Sequence, residues 1–210
     1  MAGFFVLQTL YRAGQFRQVN NDLKGSVLKT YTSMPGPEDM QADHWTGKLY
    51  ISSCERRTNN KTDNGIYLLD ITSAREPVKM QTTLDGEFNP HGLSLFRKDS
   101  LLYLFVINHT EKGDKVERFK VTGEILEHEN SLSSELMCCP NDLVAISPDK
   151  FYVTNDHGSK SGFSRLMEDY LRIPRASILY YDGLDFEVVE SMAGYRDALY
   201  YITQRRQHQN

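Results

Sequence analysis

Cysteine is scarce in this sequence and an excess of basic residues is absent, and each of these features excludes a class of protein. Cys54, Cys138 and Cys139 are an odd number with one adjacent pair, a poor basis for a disulfide framework, and no spaced Cys/His set predicts a zinc site. The formal net charge of −4 argues against a nucleic-acid-binding protein, which usually carries a basic face. The cysteines do not decide the compartment.

Long hydrophobic runs are also missing, although the overall composition is that of a globular protein, with 40% hydrophobic and 25% charged residues. The run Phe4-Phe5-Val6-Leu7 is too short to span a bilayer. It is interpreted either as the remnant of a longer signal or anchor, or as a short apolar strand or helix turn. We expect an N-terminal segment over residues 1–30, one domain over 31–203 and a polar tail over 204–210.

A repeat of about fifty residues runs through the expected domain. Four segments rich in aromatic and β-branched residues begin at positions 49, 102, 151 and 199, so they lie 53, 49 and 48 residues apart. Each segment predicts a β-strand, and turn signals separate it from further strands within the same period. Several short strands per repeat predict an all-β β-propeller of about four blades, with a meandering β-sandwich as the competing architecture.

A polar cluster precedes each of the first three of these strands. The clusters contain Glu38-Asp39, His91 and Asn141-Asp142, and Glu38, His91 and Asn141 lie 11, 11 and 10 residues before the strands at 49, 102 and 151. Because the first strand of each propeller blade borders the central axis, we expect these side chains to meet there. The fourth period breaks the rule, since the same interval before residue 199 falls on Val188 and Val189.

One segment within the third repeat has helical rather than strand periodicity. Between residues 160 and 173, apolar residues recur at helical spacing, and Pro174 follows. This pattern predicts an inserted amphipathic helix. It is interpreted either as a helix packed on the rim of the propeller or as a cover for a site or a contact with a membrane.

The polar clusters supply the atoms of a cation site and of acid–base chemistry. Carboxylate and amide oxygens are the ligands that Ca²⁺ prefers, and adjacent residues on a strand point in opposite directions, so each pair can serve two sites. His91 and His109 are the candidate proton carriers, because histidine titrates near neutral pH.

Five motifs of the sequence, taken in order, resemble those of the paraoxonase/arylesterase family, which belongs to the SMP-30/gluconolactonase-like superfamily. They are Gly36-Pro37-Glu38-Asp39, Phe88-Asn89-Pro90-His91-Gly92, Val106-Ile107-Asn108-His109, Asn141-Asp142 and the run from Phe151 to His157. The resemblance implies a six-bladed propeller with two axial calcium ions that hydrolyses lactones and aryl esters.

The resemblance also implies a role for each matching residue. Glu38 and Asn141 would bind the catalytic calcium, whereas Asp39, Asp142 and the backbone carbonyl of Leu93 would bind the structural one. His91 and His109 would activate a water molecule. The family's other catalytic-calcium ligands come from later blades and have no match here, so we expect a truncated propeller with an incomplete catalytic site.

Three hypotheses follow from the sequence. The first is a calcium-dependent esterase or lactonase that acts on a small ester or lactone. It is inactive if catalysis needs the ligands of the later blades. The second is a non-catalytic propeller fragment that binds calcium, or a partner or second copy through its open edge. The third is a related sugar-lactone hydrolase or strictosidine synthase-like protein. The resemblance favours a periplasmic, secreted or membrane-anchored protein, with the N-terminus and the helix at 160–173 as candidate membrane contacts.

Overall fold

The computed structural model describes residues 2–12, 14–18, 24–73, 75–171 and 173–191. The chain divides into two compact units, Met1–Thr30 and Tyr31–Asn210. The first unit contains helix α1 (Ala2–Arg12), on which Phe4, Leu7 and Tyr11 are exposed. Within the described ranges, none of the helices has the length and apolar character needed to cross a membrane.

The second unit consists mainly of three sheets, whose strands are antiparallel except for one short parallel pair. The first sheet contains β1 (Pro37–Asp43), β2 (Lys48–Ser53), β3 (Gly65–Asp70) and β4 (Val78–Lys79) in sequence order. The third contains β10 (Pro140–Ser147), β11 (Lys150–Asn155), β12 (Ser177–Tyr181) and β13 (Phe186–Ser191). Helix α2 (Gly162–Leu171) is inserted between β11 and β12.

The second sheet has five strands, and the chain enters it through a short strand at its outer edge. Strand β5 (Gln81–Thr82) pairs in parallel with β9 (Ile125–Leu132), and the order continues inward through β8 (Gly113–Thr122) and β7 (Leu101–Thr110) to β6 (Pro90–Lys98). Strand β6 contacts both β1 and β10. Counted outward from these contacts, the first strands of the three sheets are β1, β6 and β10, and they lie side by side, as in successive propeller blades.

The all-β prediction of a propeller fragment with one inserted helix is confirmed. The predicted marker strands at 49, 102 and 151 are the second strands of the three sheets, β2, β7 and β11. Val188 and Val189 belong to β13, the outer strand of the third sheet. The predicted fourth marker strand at 199–202, the end of the predicted domain at 203 and the tail at 204–210 lie outside the described residues.

Two apolar cores lie on opposite faces of the second sheet, since side chains alternate across a strand. Leu104 and Val106 of β7 pack with Tyr50 of the first sheet, whereas Phe105 and Ile107 pack with the third sheet. These alternating residues are all fully buried or nearly so. Strand β7 thus joins the three sheets into one unit.

Phe151 is the residue on which we expect the second core to depend most. It is fully buried, and its ring contacts the rings of Phe105, Tyr181 and Phe186 at centroid distances of 5.6, 5.1 and 5.8 Å. Phe151→Ala should lower the free energy of unfolding by about 3–5 kcal/mol in urea denaturation. Phe163→Ala, at a position that is 75% exposed on α2, is the matched control and should change it little. Equal effects of the two substitutions would contradict this assignment of the core.

Candidate active site

Each predicted polar cluster lies at a β-bulge in the first strand of its sheet. The pairing register shifts between Pro37 and Asp39, between Pro90 and Leu93, and between Pro140 and Leu143. A bulge inserts an extra residue that is released from the regular ladder and bends the strand. The three bulges therefore release the polar residues of all three clusters at corresponding positions of neighbouring sheets.

Two of the bulges are fastened in the same way by a hydroxyl from the neighbouring strand. Ser52 Oγ accepts a hydrogen bond from Asp39 N and donates to Asp39 O, at 3.1 and 3.4 Å. Thr154 Oγ1 makes the same pair of contacts with Asp142, both at 3.2 Å. Both hydroxyls occupy the fourth position of the repeated marker strands, so the repeat includes the support of the site.

Glu38, His91 and Asn141 are brought together in one hydrogen-bonded network. His91 Nε2 lies 2.6 Å from Asn141 Oδ1, and His91 Nδ1 lies 3.4 Å from Glu38 Oε2. Arg56, which follows β2, places Nε 3.2 Å from Glu38 Oε1 and Nη2 2.6 Å from His91 Nδ1. Asn141 in turn hydrogen bonds Asp156. Three sheets thus contribute to one polar centre.

Burial lowers the pKa of His91 from its usual value. The hydrogen bond to Asn141 opposes this shift, and the positive charge of Arg56 adds to it. His91 is therefore neutral near pH 7. In its short contact with Arg56, the neutral ring nitrogen Nδ1 accepts a hydrogen bond from the guanidinium cation.

His109 forms a second polar unit on the neighbouring hairpin. Its Nδ1 lies 2.8 Å from Asp114 Oδ1, and Lys160 Nζ lies 3.2 Å from the other oxygen of Asp114. Burial opposes ionisation of Asp114, but the hydrogen bonds from His109 and Lys160 prevail and lower its pKa. An ionised Asp114 accepts the Nδ1 proton of His109 and leaves Nε2 as the basic nitrogen. The ring centroids of His91 and His109 are 5.2 Å apart.

Both histidines line one open cavity of about 460 Å³. Its wall combines three histidines, three cationic side chains and two amide groups with Asp156; besides His91 and His109 these are His157, Arg56, Lys61, Arg165, Asn89 and Asn141. A cavity of this size matches a small-molecule ligand.

Asp39 and Asp142 lie together beneath this network, around Gly92 and Leu93. Asp39 Oδ2 accepts a 2.9 Å hydrogen bond from the backbone N–H of Leu93, and a Cβ added to Gly92 would lie 2.9 Å from Asp142 Oδ1. Burial, and then the negative charge of Asp39, raises the pKa of Asp142 to about 7. This carboxylate pair, whose two charges repel each other in a partly buried position, is a suitable place for a cation.

The structure brings all the predicted site residues into one region. Glu38, Asn141, His91 and His109 line or border the cavity, while Leu93 lies at the carboxylate pair of Asp39 and Asp142. For Leu93, the contact present is made by its N–H rather than by the predicted carbonyl. The roles assigned to these residues remain predictions.

Sequence analysis missed Arg56, Asp114 and Lys160. Asp114 could have been found, because the two-residue turn after Thr110 places His109 directly opposite Asp114 in the β7–β8 register. Arg56 and Lys160 lie on irregular segments between elements, where periodicity carries no information.

Bulged inner strands from three sheets, with polar side chains converging on one cavity, define a propeller-type protein with a site on its first strands. The family model described as Arylesterase matches residues 17–200. The chain therefore belongs to the arylesterase family, which is a family of ester hydrolases, and the resemblance drawn from its motifs is confirmed.

Several relatives bear the names of paraoxonases. The chain is 40% identical over 133 residues to serum paraoxonase/arylesterase 2 of Bos taurus, covering 60% of this chain and 37% of that protein. It is 37% identical to the human protein of the same name, with the same coverage. Human serum paraoxonase/arylesterase 1 is 32% identical over 167 residues, 73% of this chain and 47% of that protein. The chain spans less than half the length of these relatives.

The oxygen donors fit a calcium ion in type but not in number. Asp39 and Asp142 offer carboxylates, and Glu38 and Asn141 offer a carboxylate and an amide. Over the described ranges, no three His, Cys, Asp or Glu side chains meet in a group that could hold a metal. A calcium ion would therefore need amide, backbone or water oxygens in addition to these pairs.

The pKa of Asp142 predicts a pH-dependent stability. Its folded-state pKa, about 7, lies above the ordinary value of 3.8, so its contribution is present below pH 4 and is lost as the pH rises through 7. This loss corresponds to roughly 2–4 kcal/mol. In urea unfolding with a chelator, wild type should lose stability between pH 5 and pH 8, and Asp142→Asn should not.

The control for this experiment is Asp85→Asn, at an exposed carboxylate, which should follow wild type. Adding calcium at pH 8 should stabilise wild type more than Asp142→Asn. Parallel pH profiles of wild type and Asp142→Asn would contradict the repulsion between Asp39 and Asp142.

Gly92 gives a second prediction, because β6 and β10 approach each other closely at this position. A Cβ there would lie 2.5 Å from the carbonyl oxygen of Asn141 and 2.7 Å from Asp142 Cα. Gly92→Ala should therefore lower the free energy of unfolding by about 1–3 kcal/mol in urea denaturation. Gly25→Ala is the control, since a Cβ at Gly25 meets nothing within 4 Å. Equal stability of the two variants would contradict the close approach.

Proposed function

We propose that this chain is a calcium-dependent hydrolase of carboxylic esters or lactones. The observation that carries the proposal is the meeting of Glu38, His91 and Asn141 with the His109–Asp114 pair around one cavity. Membership of the arylesterase family supports the reaction class, and the relatives' names support an arylesterase. Hydrolysis by this chain of the substrates of those longer proteins is part of the proposal.

The proposed general base is His109. Asp114 holds the Nδ1 proton, so Nε2 can take a proton from a water molecule as its oxygen attacks the ester carbonyl carbon. The same proton then passes to the departing alcohol oxygen, which yields a carboxylic acid and an alcohol. For a lactone, both groups remain in one product molecule.

A calcium ion held by Glu38 and Asn141 would polarise the ester carbonyl as a Lewis acid. Asp39 and Asp142 would hold a second ion, which fixes the bulges of β1 and β10 relative to β6. Two of the three cationic side chains of the cavity wall, Lys61 and Arg165, would stabilise the negative charge that develops on the carbonyl oxygen.

The carboxylate pair of Asp39 and Asp142 favours a second candidate, a non-catalytic fragment that binds calcium. Asp39 and Asp142 lie together independently of His109 and of the cavity, so calcium binding at this pair needs no turnover. A protein of this kind would offer the open outer strand β13, with its exposed Val188 and Val189, to a partner or second copy.

An extracellular location is also part of the proposal. It is supported by the relatives, whose names describe serum proteins. The exposed apolar residues of α1 and α2 are the proposed membrane contacts.

Hydrolysis of phenyl acetate and of a medium-chain lactone, with calcium or with a chelator, tests the proposal. We expect calcium-stimulated turnover that falls about 10²–10⁴-fold in His109→Gln and is also lost in Asn141→Ala, with circular dichroism unchanged. His44→Gln is the matched control, because His44 is exposed, and it should retain wild-type turnover. Calcium binding without turnover at any calcium concentration would leave the non-catalytic candidate.

A further inference from the structure

Arg56 bonds two of the groups on which the proposed reaction depends. Its guanidinium contacts Glu38 Oε1 at 3.2 Å through Nε and His91 Nδ1 at 2.6 Å through Nη2. The Arg56 side chain is 51% exposed and lines the cavity. It extends from an irregular segment rather than from a strand. Among the described residues, the contacts that hold the guanidinium in place are those with Glu38 and His91 and a hydrogen bond with the Cys54 thiol.

The contact with Arg56 fixes the tautomer of His91. A guanidinium can only donate hydrogen bonds, so His91 Nδ1 must accept. The ring proton of the neutral histidine then lies on Nε2, which donates to Asn141 Oδ1 at 2.6 Å. Glu38 Oε2, at 3.4 Å from Nδ1, makes no hydrogen bond with that nitrogen in this tautomer, although the distance alone would suit an ion pair.

Three functional groups are consequently engaged at once. The lone pair of His91 is used by Arg56, the amide oxygen of Asn141 is used by His91, and one oxygen of Glu38 is used by Arg56. The positive charge beside Glu38 is the same kind of charge that a calcium ion would bring there. Repulsion between two cations disfavours both at Glu38 together.

We propose that Arg56 is an internal cap of this site, which competes with a divalent cation for Glu38 and holds His91 as the Nε2–H tautomer. Departure of the guanidinium releases the Glu38 oxygen and the Nδ1 lone pair. It also allows a tautomer exchange through solvent, in which His91 loses the proton on Nε2 and takes one on Nδ1, where Glu38 accepts it; the oxygen of Asn141 is then free. The catalytic consequence of this release rests on the proposed function, but the competition for Glu38 does not.

Calcium titration by calorimetry tests the competition. It is done in the Asp142→Asn background, so that calcium binding at the carboxylate pair contributes less to the signal. Arg56→Gln should bind calcium about five- to tenfold more tightly than its parent. Arg57→Gln is the matched control, because it removes the same charge from the adjacent exposed position, and it should change the affinity less than twofold.

Two further variants complete the test. Adding Glu38→Gln should remove the gain of Arg56→Gln, because the competing groups have lost their common partner. Arg56→Lys keeps the charge but cannot make the two-point contact, so its calcium affinity should lie between that of the parent and that of Arg56→Gln. The lysine variant also serves if Arg56→Gln fails to fold.

Nitrogen NMR of the histidine side chains gives a readout that needs neither calcium nor turnover. His91, assigned by comparison with His91→Gln, should be the Nε2–H tautomer in wild type and shift toward Nδ1–H in Arg56→Gln, where Glu38 becomes the acceptor. Unchanged calcium affinity together with an unchanged tautomer would overturn the proposal. Absence of turnover in every variant would overturn only the proposed hydrolase.

Discussion

The bulges at the beginning of the first strands are the constraint on which the site depends. In a regular antiparallel ladder, successive side chains point to alternate faces of the sheet. At Glu38, at His91-Gly92 and at Asn141-Asp142 the register shifts, so these residues are released from the ladder at corresponding positions of neighbouring sheets. Glu38 and Asn141 face the cavity network, and Asp39 and Asp142 form the partly buried carboxylate pair.

This arrangement concentrates unfavourable charge in a small volume, and the protein compensates for it in two ways. Arg56 neutralises Glu38 at the cavity, and hydrogen bonds from backbone N–H groups stabilise the two aspartates. Asp39 Oδ1 accepts from Met40 N at 2.6 Å, and Asp142 Oδ1 accepts from Leu143 N at 2.7 Å. These bonds do not offset the burial of Asp142, whose pKa stays high. Protonation of Asp142 relieves its repulsion with Asp39, and a cation between the two carboxylates would do the same.

The two histidines differ in their partners, and this difference separates their roles. His109 is oriented by a carboxylate, which leaves a basic nitrogen, whereas His91 is held between a donor-only guanidinium and an amide oxygen. Residue type alone does not distinguish them, since both are histidines on strands of the same sheet. The partner of each ring decides which nitrogen carries the proton.

The sequence by itself determined the repeat, the second strands at 49, 102 and 151, the inserted helix and the polar clusters at the first strands. These features are local, because strand and helix periodicity and turn chemistry act over a few residues, and an equal spacing repeats them in each blade. Only the tertiary structure decided that Arg56 lies between Glu38 and His91 and that Lys160 reaches Asp114. Both side chains extend from irregular segments, whose paths are set by packing between sheets and leave no periodic signal in the sequence.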